Sequence, residues 1–217
     1  MATMLEIPVF DASGARKGSE SIDADALGGR VRTALLKQAI VAFEGAQRQG
    51  TFASKSRAMI QGSTRKIYKQ KGTGNARAGS VRSPTRRGGG HAFHKIPRDF
   101  DQKMPRQMRR LARNSAILAK IQAGDAMIID PLTFDTPKTK LFAGMLKAVG
   151  VTRGCLVAMS TRDTNVWRAG RNIPGVDIRP IADVNPFEVL KPKHVIFTRE
   201  AFAALKADPE KAGKTKD

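Results

Sequence analysis

From Gly45 to Arg98 the chain carries no acidic side chain but thirteen Lys or Arg residues. This asymmetry limits what the chain can fold into. Within it stand Lys69-Gln-Lys-Gly-Thr-Gly-Asn-Ala-Arg-Ala-Gly-Ser80, Ser83-Pro-Thr-Arg-Arg-Gly-Gly-Gly90 and His91-Ala-Phe-His94. Glycine recurs and apolar residues are isolated, so the segment lacks the buried surface that would offset its ordering entropy. It cannot form a core of its own, and its charge calls for a polyanion. Any globular body must come from the sequence on either side.

The chain has 217 residues, long enough for one well-buried domain plus an appendage. The net charge of +20 and pI of 10.8 exceed the pI of about 9 that marks a nucleic-acid-binding domain. Charge serving solubility alone mixes signs over the surface, whereas here it gathers in one Gly-rich block. Nucleic acid is the leading partner class, ahead of anionic membranes and acidic proteins. No stretch reaches the ~18 apolar residues of a membrane span, and the N-terminal run, with Glu6 and no long apolar core, does not read as a secretion signal. The single cysteine, Cys155, lies in the apolar run Cys155-Leu-Val-Ala-Met159 and reads as a buried small hydrophobe in a cytosolic protein.

Leu5–Phe10 reads as a short strand closed by the turn Asp11-Ala-Ser-Gly14, and Ala24–Ala46 as a helix on the spacing of Leu27, Val31, Leu35, Ile40 and Phe43. No period survives from Gln47 to Arg98, and so long a structureless stretch points to function. Pro105 then suits the first turn of a helix ending at Gly124. Its apolar side faces a core, and Arg106, Arg109, Arg110, Arg113 and Lys120 are left for another face. Four apolar runs follow, Ala126–Ile129, Cys155–Met159, Val176–Ile181 and His194–Phe197, alternating with helical patterns at Lys138–Val149, Asn165–Asn172, Pro186–Leu190 and Arg199–Lys206. This order predicts an α/β fold: a mostly parallel sheet with flanking helices in a Rossmann-like three-layer arrangement. The expected organisation is a discontinuous α/β body from 1–46 and 99–206, an extended Gly/Arg-rich loop at 47–98, and a flexible tail at 207–217.

The residues do not assemble an enzyme. Gly72-Thr-Gly74-Asn-Ala-Arg77 lacks the third glycine of a dinucleotide loop, and no strand precedes it. Gly213-Lys-Thr215 lacks the first glycine of a phosphate loop. His91 and His94 follow three glycines and have no further ligand nearby, and Asp125, Asp130 and Asp135 sit where turn and capping roles suffice. No nucleophile–base pair, cofactor or metal set is read from the sequence, and the chain is expected to be non-catalytic.

Lys and Arg neutralise phosphates and release counterions, glycine lets backbone N–H groups approach a phosphate, and Arg, Tyr68 and Phe93 offer faces for splayed bases. Duplex DNA is more often read by a pre-formed helix. A long irregular arm suits folded RNA.

These motifs also resemble a family. Lys69–Arg77 is similar to the Arg-Gln-Lys-Gly-Thr-Gly-Arg-Ala-Arg core of the bacterial large-subunit ribosomal protein L-four family. Ser83-Pro-Thr-Arg-Arg-Gly-Gly-Gly90 with Phe93 resembles the segment that follows it. Gln102-Lys103 with Met108-Arg109-Arg110, Thr136–Leu141, and Arg171-Asn172 with Val176-Asp177 match later landmarks in the family's order. Asn75 stands where an Arg is usual and Tyr68 where a Trp is usual. The resemblance implies a structural constituent of the large ribosomal subunit in cytoplasmic or organelle ribosomes. Such a protein binds large-subunit ribosomal RNA and supports early assembly. Its loop tip lines the nascent-peptide exit tunnel beside the L-twenty-two family protein. The alternative is a free-standing RNA chaperone or messenger-leader-binding regulator using the same loop. With the resemblance, the expected RNA-binding residues are Arg65, Lys66, Tyr68, Lys69, Gln70, Lys71, Gly72, Thr73, Gly74, Asn75, Arg77, Arg82, Ser83, Arg86, Arg87, Gly89, Gly90, His91, Phe93, Lys103 and Arg109.

Overall fold

Residues 4–207 are described by a computed structural model. Apart from Ala207, the tail expected at 207–217 lies outside the described residues. The chain divides into two compact units, one from residues up to Phe43 and from Lys103 onward, the other Glu44–Gln102.

The first unit begins with β1, Met4–Phe10, whose Ile7 and Val9 alternate into the core. The Asp11–Gly14 turn returns the chain into β2, Arg16–Asp23, which pairs antiparallel with β1 in the register Leu5↔Ile22 and Ile7↔Glu20. Sequence reading missed this strand for a physical reason. Arg16-Lys-Gly-Ser-Glu-Ser-Ile-Asp23 buries only Ile22, because an edge strand needs little apolar alternation. The expected Ala24–Ala46 helix is also shorter than its pattern. A 3-10 turn at Asp25–Leu27 is followed by Gly28 and Gly29 at φ 96° and 72°, so regular helix starts only at α1, Thr33–Ala46.

After the second unit come α2 (Arg106–Gln122), β3 (Ala126–Ile129), α3 (Thr139–Ala148), β4 (Cys155–Met159), α4 (Thr164–Gly170), β5 (Val176–Pro180), α5 (Pro186–Leu190), β6 (His194–Thr198) and α6 (Arg199–Ala207). The sheet order is β2-β1-β3-β6-β4-β5. Every pairing except β1–β2 is parallel, so the sheet is mixed but mostly parallel. β6 runs between β3 and β4 and pairs with both, Met127↔Ile196 on one side and Val157↔Ile196 on the other.

Strand alternation divides the core in two. Ala126, Ile128, Leu156, Ala158, Val195 and Phe197 face a cluster completed by Leu36 of α1, Ile117 and Leu118 of α2, Val189 of α5 and Phe202 of α6. Met127, Ile129, Cys155, Val157 and Ile196 face another, completed by Phe142 and Met145 of α3 and Val166 and Ala169 of α4. Caps sharpen two helix starts: Asp163 accepts from the Asn165 N–H at 2.9 Å, and Asn185 from the Glu188 N–H at 3.0 Å with Pro186 in the first turn.

Two cations expected on the outer face of α2 are elsewhere. Arg113 is only 4% exposed, and its guanidinium donates to Asn114 Oδ1 at 3.2–3.3 Å. Burial, then the neighbouring Arg110 charge, holds its pKa below the ordinary arginine value. Lys120 donates to the Pro192 and Lys193 carbonyls at 2.8 and 2.9 Å, tying α2 to the entry of β6.

Candidate nucleic-acid interface

Residues 47–98 contain no helix or full strand. Their order comes from turns and two isolated bridges, Ser56↔His91 and Lys66↔Ser80. The second bridge encloses the stretch from Ile67 to Gly79. The Ile67 N–H donates to the Gly79 carbonyl at 3.1 Å, and the Tyr68 hydroxyl donates to the Ala76 carbonyl, closing the intervening turn. At that turn Gly72 and Gly74 adopt φ 80° and 66°, a region that disfavours side chains. Lys69, Gln70, Lys71, Thr73, Asn75 and Arg77 around it are exposed. Lys66 Nζ donates to Gln70 Oε1, so this pair is held together while the other tip cations stand apart.

The stretch from Arg82 to His91 is a tighter knot. Arg86 N–H donates to Ser83 O at 3.1 Å, Gly89 N–H to Arg86 O at 3.0 Å, Gly90 N–H to Arg82 O at 3.2 Å and His91 N–H to Lys55 O at 3.0 Å. The backbone packs so closely that a Cβ on Gly89 would lie 1.8 Å from the Ser83 carbonyl oxygen, and one on Gly90 2.2 Å from Arg57 N. Arg86, Arg87 and His91 project outward from this knot, and Phe93 is 98% exposed. A fully exposed phenyl ring is costly in water and available for stacking. Arg82 differs from its neighbours: it is half-buried and its Nε–H is shielded without a hydrogen-bond partner.

Electrostatics separates the two units. The ion pairs among the described residues, such as Arg199 with Glu20 and Asp130, lie in the first unit, and none involves a cation of 45–98. The arm's positive field is therefore not neutralised internally. Lys103 and Arg109 belong to the first unit; both are exposed, Arg109 on α2 and Lys103 in the segment before it.

Three chain segments of the second unit converge on a hollow of about 360 Å³ lined by Arg57, Thr64, Lys66, Gly79, Ser80 and Ser83. The Lys66↔Ser80 bridge sets two of its walls, and Ser80 Oγ fixes them by donating to the Ser63 carbonyl at 3.0 Å and accepting from the Arg82 N–H at 3.2 Å. Of these residues, sequence reasoning singled out only Lys66 and Ser83. Arg57 and Thr64 belong to no motif, Ser80 only closes the glycine-rich block, and all three gain significance only when the backbone brings them together. A second arrangement escaped it in the first unit: the Arg162 and Arg171 guanidinium carbons lie 4.4 and 4.6 Å from the Trp167 ring centroid.

No group of three or more His, Cys, Asp or Glu side chains forms a metal-ligand cluster among the described residues, and none of their helices is long and apolar enough to cross a membrane.

A family model described as the ribosomal protein L4/L1 family matches residues 21–208. The chain is 45% identical over 197 residues to the large ribosomal subunit protein uL4 of Dehalococcoides mccartyi, covering 91% of this chain and 94% of the relative. It is 38% identical over 215 residues to the large ribosomal subunit protein uL4 of Rhodopirellula baltica, covering 99% and 96%. The protein of that name from Brevibacillus brevis is 38% identical over 202 residues, covering 93% and 98%.

Proposed function

The chain belongs to the ribosomal protein L4/L1 family, and on that premise we propose that it is a non-catalytic structural constituent of the large ribosomal subunit. In this reading the segment 47–98 is its arm for large-subunit ribosomal RNA, working in the cytoplasmic ribosome during early assembly. The turn at Gly72–Gly74 is the tip that lines the nascent-peptide exit tunnel, beside the L-twenty-two family protein and the passing peptide. The Rossmann-like α/β body is the scaffold from which that extended loop reaches RNA.

The observation that carries this reading is the arm's unneutralised charge. Thirteen cations sit in a segment without a carboxylate and without an ion pair among the described residues. Like charges repel, and phosphates relieve that repulsion while releasing counterions. Phe93 and the Arg side chains add faces for unpaired bases, which RNA loops supply and duplex DNA does not. The knot at Ser83–His91 anchors the arm, and the glycine turn presents its tip.

Sucrose-gradient fractionation of cell lysate tests the proposal. The protein should co-sediment with large subunits at one copy each and remain there after a high-salt wash. Recovery in light fractions alone would reject a ribosomal constituent and leave a free-standing RNA-binding chaperone or regulator.

A further inference from the structure

We propose that the hollow lined by Arg57, Thr64, Lys66, Gly79, Ser80 and Ser83 takes one unstacked ribonucleotide, with its phosphate at Lys66 and its base against the Arg57 guanidinium. The inference rests on the RNA-binding reading above and adds a specific subsite to it.

The size and lining of the hollow select this occupant. At about 360 Å³ it lies at the lower end of the ~300–1,000 Å³ of small-molecule sites and offers more room than a lone phosphate fills. No apolar side chain lines it, so an aliphatic or aromatic ligand gains nothing by entering. No carboxylate occurs from 45 to 98, so a metal cation finds only positive charge. What remains is an anionic ligand carrying hydroxyls and hydrogen-bonding edges. Lys66 supplies a compact positive charge for phosphate, and the flat guanidinium of Arg57 is a stacking plane.

The hydroxyls of Thr64, Ser80 and Ser83 can both donate and accept, as a ribose 2′-hydroxyl or a base edge requires. Ser80 is already oriented by Ser63 and Arg82, and Ser83 Oγ is held 3.0 Å from Thr85 Oγ1. The backbone that carries Arg57 is set in place by the close approach of Gly90 and the neighbouring Ser56↔His91 bridge, and its side chain is exposed. These walls come from residues up to 26 positions apart, between Arg57 and Ser83, and form one concavity instead of a run of cations. A run of cations reads only backbone charge, whereas a concavity lined by hydroxyls can also meet a ribose or a base edge.

Gly79 provides the sharpest test. A Cβ there would meet no heavy atom within 4 Å, so Gly79→Leu puts bulk at the wall of the hollow without changing charge. The full-length protein and its variants are titrated with a transcript of large-subunit ribosomal RNA at several salt concentrations. Gly79→Leu and Thr64→Val/Ser83→Ala should each weaken binding by about tenfold with an unchanged salt slope. Ultraviolet crosslinking of the unmodified complex should place a single nucleotide on residues 57, 64–66 or 79–83. If both variants bind as the unmodified chain does, while that chain binds the transcript, the hollow holds no nucleotide and this proposal alone falls. If the unmodified chain fails to bind the transcript, the RNA-binding reading falls and the subsite with it.

Discussion

Gly90 has no room for a methyl group: its Cβ would lie 2.2 Å from Arg57 N and 2.5 Å from the Ser56 carbonyl carbon, both backbone atoms that cannot swing aside. Gly90→Ala should therefore break the knot between Arg82 and His91. Hydrogen exchange at the His91 amide, which donates to Lys55, should accelerate while the melting temperature of the first unit stays within a few degrees of the unmodified value. In sequence Gly90 is one of three consecutive glycines and nothing marks it as the tight one. The requirement arises from a strand of chain more than thirty residues earlier. Cys155 was legible by contrast, because its four apolar neighbours declare a buried strand. Burial, then the charge of Asp177, pushes its thiol up to about 12 from the ordinary 9.0. The folded chain thus keeps the proton that the unfolded chain releases, and stability is lost as pH rises from about 9 toward 12. A thiol-modifying reagent at pH ~8 should leave Cys155 untouched until the protein unfolds. Cys155→Ala should show less loss of urea resistance between pH ~8 and ~10 than the unmodified chain.

Elements were legible where burial imposes a period. β3, β4 and β6 are short apolar runs, β5 alternates Val176 and Ile178 with exposed Asp177 and Arg179, and the helices between them carry an apolar face, so all were readable without coordinates. β2 was not, because its outer position leaves Lys17, Ser19 and Ser21 in water and its polar composition resembles a loop. The start of α1 was misplaced because Leu27 continues the helical spacing across Gly28 and Gly29, whose left-handed φ values interrupt the backbone. Spacing records which side chains meet the core and is blind to the chain path between them. The candidate RNA-binding residues of 65–93 rest on composition and resemblance, whereas the hollow has no signal in sequence, since its walls meet only through bridges that no local pattern encodes. For α6, apolar spacing translates directly into energy. Phe202 is fully buried and packs against Phe197, with ring centroids 6.0 Å apart. Phe202→Ala should cost about 3–5 kcal/mol. Chemical denaturation should show a lower midpoint with an unchanged slope.

For the molecule as a whole, a net charge of +20 makes salt the strongest external variable. If about ten cations contact phosphates, the logarithm of RNA affinity should fall against the logarithm of salt concentration with a slope of roughly −7 to −9. A filter-binding titration giving a slope shallower than about −3 would mean that most of the arm's charge does not reach RNA. The sheet order carries a different consequence, one of timing. β6 lies between β3 and β4, yet it is the last of the described strands in sequence, so during synthesis the central gap of the sheet stays open until His194–Thr198 has been added. The cationic segment 45–98 is complete long before that point, and by then β3 and β4 present unpaired edges on either side of a vacant position. A growing chain of this protein therefore passes through a stage that is both adhesive and unfinished, which ends only when its sixth strand arrives.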